Sequence, residues 1–147
     1  MTAKILASAT VAYAQRQGYA ITNLKLQKTL YYVQGYYIKT YDEPLFRDLI
    51  EHWPYGPVVP SVYFEYSVYG AEAIEADEND TDFEGLGAKE KRLVKKVIDK
   101  CLTFSAGDLV EKTHKEDPWQ NTKRSEIIAY EAIEKFFKKN DPLELCG

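Results

Sequence analysis

The chain has 147 residues, of which 45% are hydrophobic and 29% charged, with a formal net charge of −4. A chain of this length hides about two-thirds of the surface it exposes when unfolded, enough for one core without a metal or disulfide staple. This balance excludes wholesale disorder, and no apolar run approaches the ~20 residues that span a bilayer.

Residues 3–17 are expected to form a first helix, with Ile5, Leu6, Ala9, Ala12 and Tyr13 on its inner side and Gly18 ending it. Asn23 suits the N-cap of a second helix, from about Leu24 to Tyr41. Leu26, Leu30, Val33, Tyr37 and Tyr41 form its apolar stripe, and Lys25, Lys28 and Lys39 fall away from it. Tyr32 and Tyr36 lie in a second row that is expected to face a partner. Asp42 to Pro57 reads as irregular, broken by Pro44, Pro54 and Pro57, with a short strand over Leu49 to Trp53 stopped by Pro54. Proline near 57–60 opens a helix over about 59–69, with Val62, Tyr66 and Tyr69 on one side and Gly70 at its end. Ile74 is expected to begin a second strand paired with the first.

Glu72 to Glu84 holds seven acidic residues and reads as a mobile surface loop. A helix over about Ala88 to Thr103 turns Leu93, Val97 and Cys101 inward, with Val94 and Ile98 beside them. Ser105 caps a short helix that reaches about Lys112 and carries Leu109 and Val110. Thr113 to Thr122 reads as a loop. A last helix is expected from near Ser125, with Ile127, Ile128, Ile133, Phe136 and Phe137 inward, stopped by Asp141-Pro142. The expected fold is mainly α: a compact single domain of about six helices with at most a short two-stranded β element.

Charge is unevenly spread. Residues 48–88 carry ten acidic side chains and no Lys or Arg. A nucleic-acid partner needs a basic stripe, so none is expected. Tyrosine is abundant, with twelve copies against six phenylalanines. Its ring and hydroxyl suit boundaries between core and water, including protein interfaces. The plainer reading is that most of these rings cap an ordinary core.

The search for chemistry returns little. Two histidines, His52 and His114, cannot make a zinc site without carboxylates or the two cysteines, Cys101 and Cys146. Those cysteines are expected as free thiols in the cytoplasm, because MTAKILASAT does not read as a secretory signal. Asp80, Asp82, Glu84 and Gly85 fit early positions of a calcium loop, but the place of its bidentate acid holds Lys91, with Glu90 one place early. There is no Gly-rich phosphate cradle and no nucleophile elbow. His114 and Glu116 could form a carboxylate-oriented base, although such a histidine more often fixes a loop. No catalytic group, metal or cofactor is expected, and the chain is not read as an enzyme.

Three motifs stand in a particular order. Asn23-Leu24-Lys25-Leu26-Gln27-Lys28 runs into Leu30-Tyr31-Tyr32-Val33-Gln34-Gly35. Trp53 precedes Tyr55-Gly56-Pro57-Val58-Val59-Pro60, followed by Tyr69-Gly70. Thr113-His114-Lys115-Glu116-Asp117-Pro118-Trp119 comes last. Over about residues 3–137 the chain resembles the Panacea antitoxin domain family, which includes SocA-like and GepA-like proteins. Thr29, where an aliphatic residue is usual, and Pro54 depart from the family pattern.

The resemblance implies a mostly helical bacterial or phage protein that neutralises a cognate toxin by direct contact. It leaves open an adaptor that delivers the toxin to a Clp protease, or a prophage interaction module with no toxin. Leu26, Leu30, Tyr31, Trp53, Tyr55, Gly56, Pro57, Val58, His114, Glu116, Pro118 and Trp119 are expected to build the frame. Gln27, Lys28, Tyr32, Tyr36, Tyr63 and Tyr66 are the candidate partner contacts. Neither membrane association nor a particular oligomeric state is implied.

Overall fold

The computed structural model describes residues 1–77 and 82–145. Its described residues form seven α-helices and one two-stranded hairpin: α1 (Ala3–Arg16), α2 (Asn23–Tyr41), β1 (Glu51–Trp53), β2 (Gly56–Val58), α3 (Pro60–Glu65), α4 (Ala88–Leu102), α5 (Ala106–His114), α6 (Asp117–Gln120) and α7 (Tyr130–Lys139). The mainly α expectation holds, with one helix more than the six foreseen. Among the described residues no helix is long and apolar enough to cross a membrane.

Helix α2 is the axis of the molecule. It packs against α1, α3, α4, α5, α7 and β2, so little of its circumference meets water. The expected stripe residues Leu26, Leu30 and Val33 are buried, and so are Gln27, Lys28, Thr29 and Gln34. A helix enclosed on all sides must give each polar side chain a partner within the protein. Its first turn is capped by Thr22, whose hydroxyl accepts from the Lys25 amide at 3.3 Å. This corrects Asn23 as the cap: Asn23 is itself buried and bonded to α3.

The outer helices follow simpler patterns. In α4 the buried residues are Val94, Val97, Ile98, Cys101 and Leu102, one face of an amphipathic helix. Ser105 caps α5, accepting from the Asp108 amide at 3.0 Å. In α1, Leu6, Ala9 and Tyr13 are buried, but Ile5 is exposed, against its expected inward placement.

Four expected elements differ. The helix expected over about 59–69 is α3, which ends at Glu65 and is followed by a 3-10 turn at Ser67–Tyr69. β1 pairs antiparallel with β2 across Pro54-Tyr55, with Glu51 opposite Val58 and Trp53 opposite Gly56. Ile74 does not pair with β1; its amide donates instead to the Ile21 carbonyl. A two-residue turn closes the nearby pair with far less loop entropy than a partner some twenty residues on. The last helix begins at Tyr130, five residues beyond Ser125. Residues 125–128 instead run beside β1, where Ser125 and Ile128 donate to the carbonyls of His52 and Ile50. The expected loop over 113–122 holds the end of α5 and all of α6.

Candidate partner-binding site

The first motif fastens α2 to the hairpin and α3. Asn23 donates through Nδ2 to the Tyr63 carbonyl at 3.1 Å, and its Oδ1 accepts from Gln27 Nε2 at 2.9 Å. The Gln27 carbonyl oxygen accepts from the Val59 amide at 2.9 Å, and Lys28 Nζ donates to the Pro57 carbonyl at 2.8 Å. Polar groups at 23, 27 and 28 thus hold the backbone at 57–63. Burial pushes the Lys28 ammonium down to about 7, because its charged form loses water and gains no anion.

Gly56 lets Lys28 reach this place. A Cβ on Gly56 would lie 2.8 Å from Lys28 Cε and 2.6 Å from Thr113 Oγ1, and its φ of 112° also disfavours other residues.

The third motif reaches α2 near its middle. Glu116, 6% exposed between α5 and α6, accepts from Tyr32 Oη at 2.7 Å and from Tyr31 Oη at 3.3 Å. Burial raises its carboxyl to about 7, against the opposing effects of the Tyr32 and Tyr31 hydroxyls and the charge of Lys112. Burial and the Glu116 charge also push both tyrosine hydroxyls well above their ordinary range.

Tyr36 Oη donates to Asp141 at 2.6 Å and accepts from the Leu143 amide at 2.8 Å, holding the segment after α7. The rings of Tyr31, Tyr32 and Tyr36 surround Phe137 at 5.6, 6.2 and 5.3 Å. Phe137 lies directly over Gly35, where any Cβ would meet its ring.

Trp119 lies between the two histidines, its ring stacked 4.1 Å from His52 and 4.2 Å from His114. Its Nε1 donates to the Trp53 carbonyl at 2.9 Å, tying α6 to the hairpin. His114 Nε2 and His52 Nδ1 are buried and have no hydrogen-bond partner among the described residues. His114 therefore meets an indole, and the Glu116 carboxylate meets two tyrosines. The two do not form the base pair that their spacing allowed.

Of the six expected partner contacts, four lie inside the protein. Gln27, Lys28, Tyr32 and Tyr36 are each 2% exposed or less, because α2 is covered on all sides. Tyr63 and Tyr66 are half-buried. Among the expected frame residues, Leu26, Leu30, Tyr31, Gly56, Pro57, Val58, Glu116 and Pro118 are buried, while Trp53, His114 and Trp119 are half-buried. Tyr55, also expected in the frame, stands 66% exposed at the hairpin turn, which projects it away from the core.

Phe64 was missed. It is 63% exposed on α3, and its place between Tyr63 and Glu65, off the Val62–Tyr66 side, was the available signal. Trp53, Tyr63 and Phe64 form an edge-to-face cluster with ring separations of 4.9, 5.5 and 6.0 Å.

Other candidate groups are accounted for differently. Asp80 lies outside the described residues, as does Cys146. The Asp82 carboxylate faces Lys95 at 2.7 Å. Among the described residues no three His, Cys, Asp or Glu side chains converge to hold a metal. Cys101 is a buried free thiol, and burial pushes it up to about 12.

These features define a mainly α domain in which two of three motifs are turned largely inward and aromatic rings remain on the hairpin and α3. The chain belongs to the antitoxin SocA-like, Panacea domain family, whose model matches residues 26–120. Antitoxin SocA of Caulobacter vibrioides (strain NA1000 / CB15N) is 41% identical over 54 residues, a stretch covering 37% of this chain and 29% of that protein. No solved structure matches significantly.

Proposed function

We propose that this protein is the antitoxin of a toxin–antitoxin pair, acting in the cytoplasm by binding a cognate protein toxin and occluding it. Membership of the antitoxin SocA-like family carries this reading. The family also points to a regulatory protein without catalysis of its own. We take the functional domain as residues 3–137, because α1 and α7, outside the matched stretch, pack directly on α2. In this reading Gln27, Lys28, Tyr32 and Tyr36 act from within, as parts of the frame that shapes the binding surface. Tyr63 and Tyr66 remain candidate contacts.

The test is co-expression with the product of the adjacent gene. That product alone is expected to arrest growth, and this protein to restore it. A harmless neighbour, or one still toxic in its presence, overturns the reading. Occlusion also predicts an unchanged toxin half-life. A half-life that shortens only when a Clp protease is present would replace occlusion with delivery for degradation.

A further inference from the structure

We infer that the aromatic cluster of Trp53, Tyr63 and Phe64, with Tyr55 at the hairpin tip, is the docking surface for a basic, arginine-bearing face of the partner protein. The inference rests on the antitoxin reading and specifies its surface.

Single exposed apolar side chains are ordinary on a protein, but grouped ones mark contact sites. Here three rings touch edge-to-face, and Phe64 and Tyr55 each leave more than half their surface to water. Aromatic side chains of this kind dominate interface energetics.

Charge selects the partner. Residues 48–77, which carry the whole cluster, include six acidic residues and no Lys or Arg; Glu65 among them pairs with Lys4 of α1 at 3.6 Å and Asp48 is held by Ala3 and Ser61, so the carboxylate beside the rings is that of Glu51. Glu51 lies on the same face of β1 as Trp53, two residues away, and accepts from its Nε1 at 3.0 Å. A guanidinium stacked on these rings would find aromatic faces and a carboxylate together, which suits arginine better than lysine.

The surface is also held in place before any partner arrives. The bonds from Lys28 to Pro57, Gln27 to Val59, Asn23 to Tyr63 and Trp119 to Trp53 all end on the backbone beneath it. A pre-ordered surface loses less entropy on binding.

The experiment measures binding of the full chain to the purified product of the adjacent gene. Wild-type binding decides the antitoxin reading, and the variants decide this inference. Phe64→Ala combined with Tyr55→Ala is expected to weaken binding at least about tenfold, with the circular dichroism and melting curve unchanged. Glu51→Gln is expected to slow association a few-fold and reduce its dependence on salt.

Double-variant binding at wild-type strength overturns the inference and leaves the antitoxin reading standing, most clearly if Lys112→Glu, in a separate groove lined by Phe104, Lys112, Phe136 and Pro142, abolishes binding instead. No binding by the wild-type chain overturns both. Should the double variant melt early, Phe64→Leu and Glu51→Gln decide the matter, and unchanged binding by both overturns the inference.

Discussion

The tyrosines of α2 and those of the hairpin and α3 share a chemistry and do opposite things. Tyr31, Tyr32 and Tyr36 are almost fully enclosed, and their hydroxyls bond Glu116 and Asp141 across more than eighty residues of chain. Tyr55 and Tyr63 stand at the surface, one on a turn and one in an aromatic cluster. The difference lies in what covers each element. Helix α2 is surrounded, whereas the hairpin and α3 lie at the rim with one side open. A tyrosine inside a protein must satisfy its hydroxyl; one at the rim can leave that to water and offer its ring to a partner.

This contrast can be broken most severely at Phe137, the ring that the buried tyrosines enclose. Phe137→Ala is expected to cost ~3–5 kcal/mol in urea unfolding, the usual range for emptying a packed aromatic site. A loss below about 1 kcal/mol would mean that the tyrosine cage is loosely packed.

The next effect is in pH. Burial raises Glu116 from 4.5 to about 7 in the folded state, so the native protein holds this proton more tightly than the unfolded chain. Its contribution to stability is therefore full below about pH 4.5 and is lost as pH rises through 7. Lys28 works in the opposite sense. Its value falls from 10.5 to about 7, so its contribution is full above 10.5 and is lost as pH falls through 7. The joint contribution of these two groups is lowest near neutrality. The stability difference between the wild type and Glu116→Gln, followed by urea unfolding from pH 4.5 to 7, should change by a few kcal/mol. A flat difference would mean that the carboxylate is well solvated or better paired.

Tyr32→Phe tests one bond of the enclosed set. It removes the shorter of two bonds to a buried carboxylate, and a loss of about 1–3 kcal/mol is expected in thermal or urea unfolding. The Glu116 carboxyl should titrate higher still, which carboxyl NMR would detect. The smallest effect belongs to the rim: Tyr55→Ala should shift stability by less than about 0.5 kcal/mol. A larger shift would make Tyr55 part of the frame after all.

The sequence alone shows the mainly α class, most of the buried face of α4, the burial of Leu109 in α5, the cap at Ser105 and the end of β1 at Pro54. Those features follow from local rules of periodicity, capping and proline chemistry, which act within a few residues. It also carried the motif order that points to the family. That Gln27, Lys28, Tyr32 and Tyr36 lie inside follows from the elements packed around α2. Helical periodicity assigns polar residues to the wet side, but α2 has almost no wet side, and its polar groups are satisfied by Pro57, Val59, Glu116 and Asp141, far along the chain. Whether β1 pairs with β2 or with residues near 74, and whether residues 125–128 coil or extend, was likewise settled by which backbone lay within reach. Burial of a polar side chain depends on what folds over it, and no local pattern records that.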